Sequence, residues 1–252
     1  MKVSVCLASH NGSQFIHAQI DSILQQLAQQ DELIIVDDHS QDNTVDIIKD
    51  FDDKRVILLA SNKQLGHVAS FAKAIKHATG DIIVLSDQDD IWTDGRQKIV
   101  NDAFLHSNCA LVAGTFNQID ERGEPLAAPE RRLKAKDSEK PLANIIGIFL
   151  GRRPYFGCAM AFRRELTHLV LPIPRWVESH DLWIAMAANM HGGIKHLTSP
   201  LLYKRLHAAN VSTPTRRALP IVAISRIKFL ACLLILFWRA IRLKSNNARS
   251  ST

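Results

Sequence analysis

The chain has 252 residues, 46% of them hydrophobic and 22% charged, enough to bury a sizeable core and too apolar for a disordered protein. Its net charge of +6 is unevenly placed: eleven of the 31 basic residues follow Asp181, after which there is no Asp or Glu, leaving 20 basic against 25 acidic residues in the body. Four scattered cysteines, Cys6, Cys109, Cys158 and Cys232, suggest neither a zinc set nor a disulfide framework, and a reducing cytosol is the expected compartment.

Met1 and Lys2 lead directly into an apolar run with no signal-peptide pattern, so export is not expected. Three times in the first ninety residues an apolar run, polar or glycine punctuation and a helix-period pattern follow one another, the signature of βαβ units. Val3 to Ala8 is the first predicted strand, and after "SHNG" a helix places Ile16, Ile20, Ile23, Leu24 and Leu27 on one face. "ELIIVDDHS" gives a second strand, and "QDNT" opens a helix with Val45, Ile47, Ile48 and Phe51. "RVILLA" is a third strand, followed by a helix with Val68, Phe71, Ala72, Ile75 and Ala78 that stops at Gly80. Ile82 to Ser86 is the fourth. Such alternation predicts an α/β fold with a mostly parallel sheet covered on both faces.

Regularity fades after about residue 100. "CALVAGTF" predicts another strand, Asn117 to Lys140 a polar loop region, "GCAMAFRREL" a strand entering a helix, Asp181 to His191 a helix and "PLLYKRL" a late strand.

The fourth strand ends in "DQDD", and the second ends in Asp37 and Asp38. Ligands of open parallel sheets bind beyond the carboxyl ends of the strands, so both acidic clusters should face one crevice. If the backbone stays extended, Asp87 and Asp89 point the same way and Asp90 points elsewhere. Two such carboxylates repel unless a cation or proton lies between them, and Mg²⁺ or Mn²⁺, which takes few protein oxygens, would resolve the conflict. The alternative is that these acids cap the helix after Trp92; for Asp37 and Asp38 the same alternative stands, because "DDHSQDNT" is also a good helix start.

Residues 216–252 form a basic apolar tail. Its unbroken apolar run, Phe229 to Trp238, is too short to span a bilayer, yet Arg226, Lys228, Arg239 and Arg242 flank it, and Phe237 and Trp238 stand at one end. That pattern suits an anionic membrane surface. Packing on the domain or on a second subunit is the alternative, and nucleic acid is not expected as a partner because the tail is too apolar between its charges.

"ASHNG" (8–12), "IIVDDHSQDNT" (34–44), "NKQLG" (62–66), "TGDIIVLSDQDDIW" (79–92), "GCAMAF" (157–162), "SHDLW" (179–183) and "YKRLHAANVS" (203–212) together resemble, in order, the family 2 glycosyltransferases of GT-A fold. The nearest likeness is to rhamnosyltransferase-like members building bacterial surface polysaccharides. The resemblance implies a Rossmann-like central sheet flanked by helices over residues 1–215. It further implies inverting transfer of a sugar, rhamnose or another hexose, from a nucleoside diphosphate sugar to a lipid-linked saccharide acceptor, at the inner face of the cell membrane. Ser9 and Asn11 would then lie by the nucleotide, Asp38, with Asp37, would bind the base or ribose, and Asp87 to Asp89 would match the DxD motif, with Asp89 the direct metal ligand. Asp181 falls at the general base. His207 is either a further metal ligand or a loop histidine, and Lys204 and Arg205 meet either phosphate or solvent.

His10 stands where the family has Tyr, His39 where Gly is common, and "YKRLH" departs from "YRQH"; the Q-x-x-R-W motif of processive synthases is missing, so one sugar per encounter is expected. A nucleotidyltransferase would also use an acidic pair, but "ASHNGSQF" lacks the cation of its phosphate loop, and a non-catalytic scaffold of the same fold is the remaining rival.

Overall fold

In the computed structural model, which describes residues 1–127, 132–207 and 219–250, period-two alternation along the strands divides the core into two layers. In β1 (Val3–Ser9) Cys6 faces one core while Val3, Val5 and Leu7 face the other. In β2 (Glu32–Asp37) Ile34 and Val36 join Cys6, and Leu33 and Ile35 the opposite side. β3 (Val56–Leu58) pairs with β2, and β4 (Ile82–Asp87) with β1, both parallel.

A helix follows each of the first three strands. α1 (Ile16–Leu24) buries Ile16, Ile20 and Ile23, three residues at helical spacing, and α2 (Thr44–Lys49) buries Ile48; both lie in the core of Val3, Val5 and Leu7. α3 (His67–His77) covers the other face with Phe71, Ala74 and Ile75.

The later half completes the sheet differently. After β5 (Ile91–Trp92) and α4 (Arg96–Leu105) come β6 (Leu111–Ile119), α5 (Pro141–Phe149), β7 (Met160–Arg163), the short α6 (Thr167–Val170), α7 (His180–His191) and β8 (Ile194–Arg205). The strand order is β3-β2-β1-β4-β7-β6-β8-β5. β7 lies antiparallel between β4 and β6, β5 antiparallel on β8, and β6 parallel to β8, so the mostly parallel character lies in β3-β2-β1-β4 and in β6-β8. α7 is buried over most of its length, with Trp183 and Ile184 to Ala188 in the core.

α8 (Leu219–Ser250) is the tail, a 32-residue helix whose Phe229, Cys232 and Leu236 pack into the core beside α7. Arg239 donates to the carbonyls of Leu169 and Val170 (2.9 and 3.1 Å) and Pro172 (2.7 Å), and lies over the Trp183 ring. Packing on the domain, the alternative reading of the tail, therefore holds for one of its faces. Among the described residues no helix is long and apolar enough to cross a membrane. Ala208 to Ser212 of the last motif, Arg216, Arg217 and the boundary at 215/216 lie outside the described residues.

Candidate active site

β1, β2 and β4 end side by side: Ser9 is level with Asp37, and Ala8 with Asp87. Buried Asp37 accepts from the hydroxyls of Ser9 (3.1 Å) and Ser40 (2.5 Å) and from the Ser40 amide (2.9 Å). Asp38 accepts the amides of Leu65 (2.6 Å) and Gly66 (2.8 Å), one on each oxygen, and so fixes the "NKQLG" turn. Gly66, at φ 86°, allows that turn and opens α3. Asn11 takes a left-handed conformation at φ 47°, accepting the Gln41 amide at 2.8 Å. Ser9, Asn11, Asp37 and Asp38 are thus gathered at one rim, with the two carboxylates also building the loops.

Gln88, between the acids, joins this rim to the metal-type residues. Its Oε1 accepts the His10 amide (2.7 Å) and its Nε2 donates to the His10 carbonyl (3.0 Å). Gly12 leaves room for it: a Cβ there would stand 2.3 Å from Gln88 Oε1. His10 Nδ1 in turn donates to the Asp38 carbonyl at 2.8 Å.

Asp87 pairs in space with Asp90, where extended geometry would pair it with Asp89. The strand ends at Asp87 and the chain turns at Gln88 and Asp89, so the period-two rule stops applying one residue earlier than assumed. Asp87, Asp90 and Cys158 bring ligand atoms within 4.8 Å of one another. Asp90 is buried, accepts the Arg205 amide at 3.1 Å through Oδ1, and has no hydrogen-bond partner at Oδ2 among the described residues. Burial pushes its carboxyl up to about 7, with Lys204 opposing and the neighbouring Asp87 and Asp89 reinforcing the shift.

Asp89 meets His207: Oδ2 and Nε2 are 2.8 Å apart. The His207 ring lies 4.9 Å from that of Phe15, and the Arg205 guanidinium stands over the same ring. His207 is therefore held against the acidic turn.

α7 delivers Asp181. Ser179 caps the helix, accepting the Leu182 amide at 3.2 Å, and Asp181 Oδ1 accepts the Leu182 amide at 2.8 Å and the Ser179 hydroxyl. Its neighbour His180 is buried, stacks on Phe71 with centroids 4.1 Å apart, and abuts Gly157, where a Cβ would lie 2.7 Å from Nε2. Burial holds the His180 imidazole below its usual value, and Asp181 and Asp87 both act on it from nearby. Asp181 itself sits at the first turn of α7, bonded to Ser179 and Leu182.

Gln88, lying between charged neighbours, carries no sequence signal of its own. Lys204 is largely buried, 3.7 Å from Asp87 and 3.9 Å from the Cys158 sulfur. Arg205 is buried as well, donating to the carbonyls of Asp89, Asp120 and Glu121 (3.0 to 3.1 Å). Arg96 lies buried over Trp92 and donates to the Cys158 carbonyl at 2.7 Å. The alternation "YKR" at the end of an apolar strand was the available signal, since one of two adjacent cations must face inward.

The group of Asp87, Asp90 and Cys158, with an unpaired buried oxygen at Asp90, offers hard oxygen donors that suit a divalent cation such as Mg²⁺ or Mn²⁺, and Asp89 and His207 present a further oxygen and nitrogen at the same turn.

The sequence profile of Glycosyl transferase family 2 matches residues 4–169. The uncharacterized glycosyltransferase alr2836 of Nostoc sp. is 28% identical over 218 residues, spanning 83% of this chain and 66% of its own length. The UDP-Glc:alpha-D-GlcNAc-diphosphoundecaprenol beta-1,3-glucosyltransferase WfgD of Escherichia coli is 32% identical over 118 residues, 47% of each protein. The chain thus spans between about half and two thirds of the length of these curated relatives. Among solved structures, S. aureus TarS 1-349 in complex with UDP-GlcNAc matches 95% of this chain and 72% of that one, with a TM-score of 0.71 at 16% identity, a likeness of fold.

Proposed function

Because the chain belongs to glycosyl transferase family 2, we propose that it is an inverting, divalent-cation-dependent transferase that moves one hexose from a nucleoside diphosphate sugar to a hydroxyl of a lipid-linked saccharide, in surface polysaccharide synthesis. The observation that carries this reading is the meeting of Asp89 with His207 at the turn that ends β4. The named activity of the WfgD protein supports a lipid-linked acceptor, and the UDP-GlcNAc held by TarS supports a nucleotide sugar. Rhamnose is the sugar the sequence resemblance favours.

In this reading Ser9, Asn11, Asp37, Asp38 and Asp87 form the donor rim, with Asp38 holding the 62–66 turn against base or ribose. Asp89 and His207 would hold Mg²⁺ or Mn²⁺, which supplies neutralisation of the charge on the departing diphosphate. Asp181 takes the proton of the acceptor hydroxyl as it attacks the anomeric carbon from the side opposite the leaving group, giving inversion. The protein would work from the cytoplasmic side, attached peripherally to the inner face of the cell membrane.

Transfer assays with a panel of nucleotide sugars and lipid-linked saccharides, with Mn²⁺ or with EDTA, test this. Metal-dependent transfer that Asp89→Ala abolishes is expected. Equal turnover in EDTA would remove the cation from the mechanism. Synthesis of a nucleotide sugar from a sugar phosphate would make the protein a nucleotidyltransferase, and a chain that binds no sugar nucleotide at all would be a scaffold.

A further inference from the structure

α8 is apolar on two opposite sides. Phe229, Cys232 and Leu236 face the core, while Ile227, Leu230, Leu234, Phe237 and Ile241, spaced three and four residues apart, are each more than 40% exposed on the other side. A solvent-facing helix ordinarily turns polar residues outward, so a continuous outward row of Ile, Leu and Phe marks a surface that meets something other than water.

This row does not end with the tail. α5 exposes Leu142 and Ile146, 62% and 55% open, on a helix whose Phe149 ring stands 5.4 Å from that of Phe229. The Arg226 guanidinium lies over Phe149 at 5.1 Å. The two helices therefore meet at Phe149, and each carries an exposed apolar row.

Charge decides the occupant. Among the described side chains of α8 there is no acid; Arg239 is turned to the Leu169, Val170 and Pro172 carbonyls and Lys228 to Glu178, so Arg226, over Phe149, and exposed Arg242 are the cations that flank the outer row. A second copy applied to this face would bring cations against cations, with no carboxylate of α8 to answer them. An anionic lipid leaflet answers them directly, and the apolar row with Trp238 beside Phe237 suits insertion at headgroup depth with the helix lying in the plane. We propose that α5 and the outer face of α8 form one composite surface that docks on an anionic bilayer.

The surface also has a direction. Lys228 pairs with Glu178, three residues before Asp181, so the apolar face begins beside the end of α7 that opens the active site. This proposal deepens the membrane part of the functional reading above, and its test needs no sugar nucleotide, so it stands or falls separately from transfer.

Flotation of the full chain with vesicles of phosphatidylcholine alone, or with added phosphatidylglycerol, is the experiment. The chain is expected to partition onto the anionic vesicles and to release as salt rises. Leu230→Glu with Leu234→Glu should lower partitioning at least about tenfold, and Ile146→Glu in α5 should lower it several-fold with the tail intact. All three side chains are exposed, so an unchanged melting temperature is expected and checks the fold. In the unmodified chain, brominated lipid should quench tryptophan fluorescence, and Trp238→Phe should remove most of that quenching. A parent chain that stays off anionic vesicles, or lacks quenching, overturns the proposal. An Ile146→Glu chain that binds like the parent overturns the role of α5. A dimer in light scattering that the double variant makes monomeric, without vesicle binding, assigns the face to a second copy instead.

Discussion

His207 and Asp89 are separated by 118 positions in the chain and by 2.8 Å between ring nitrogen and carboxylate oxygen. No local pattern brings them together; β8 does, by running parallel to β6 and pairing with β5 just beyond the acidic turn.

If that pair holds the cation, His207→Ala and Asp89→Asn should each weaken Mn²⁺ binding by at least the roughly 10- to 100-fold that losing even an outer-sphere partner of a metal costs. Calorimetric titration of Mn²⁺ into the folded variants checks this. Affinity equal to the parent's in both would place the ion elsewhere.

Asp181→Asn should lower kcat by roughly 10²- to 10⁴-fold, the usual worth of a positioned general base, while leaving the donor's dissociation constant unchanged. Asparagine can still accept the Leu182 amide that the aspartate accepts at 2.8 Å, so the start of α7 survives and the loss is chemical. Steady-state transfer combined with donor titration separates the two; a rise in KM alone would make Asp181 a binding residue.

Gly12→Ala forces the Gln88 carboxamide away from His10, breaking two hydrogen bonds for about 1 to 2 kcal/mol. Gln88→Ala should cost a similar amount, and the pair together little more than either alone, because both remove the same contact. Chemical denaturation of the parent, both single variants and the double variant measures the coupling, and simple additivity would show that the contact carries no energy.

Burial holds the His196 imidazole, bonded to the Tyr155 hydroxyl at 2.8 Å, below its ordinary value. The unfolded chain therefore binds a proton near pH 6.5 that the folded chain refuses, so this group's contribution is full above about 6.5 and declines as the pH falls below it. The melting temperature should drop between pH 7.5 and 5, and His196→Gln should flatten that slope. A steeper slope in the variant would mean that the folded state prefers the charged ring.

The first four strands and three helices could be read from the sequence because each is short, local and punctuated by glycine or polar turns; Val3, Ile16, Ile34 and Phe71 all fall in the core their spacing demanded. After Leu105 the regular parallel strand–helix repeat stops, and the antiparallel insertion of β7 between β4 and β6 leaves no trace in hydrophobic period. The acidic motif could be found from composition and place. Its internal geometry could not, because the turn at Gln88 and Asp89 replaces extended alternation within one residue. Lys204 and Arg205 were open to two readings because a cation's partner is set by tertiary packing: one reaches Asp87, the other three main-chain carbonyls. The tail was ambiguous for a different reason, since one helix satisfies both a protein-facing and an outward apolar row.

Since the carboxamide of Gln88 grips the main chain at His10 from both ends, the loop beyond β1 and the turn beyond β4 are one mechanical piece. A graft that replaces residues 8 to 12 with those of a relative, in the hope of accepting another nucleotide, would displace Asp87 and Asp89 along with it. Re-engineering the donor preference of this chain therefore requires transplanting Gln88 and its glycine partner as a set.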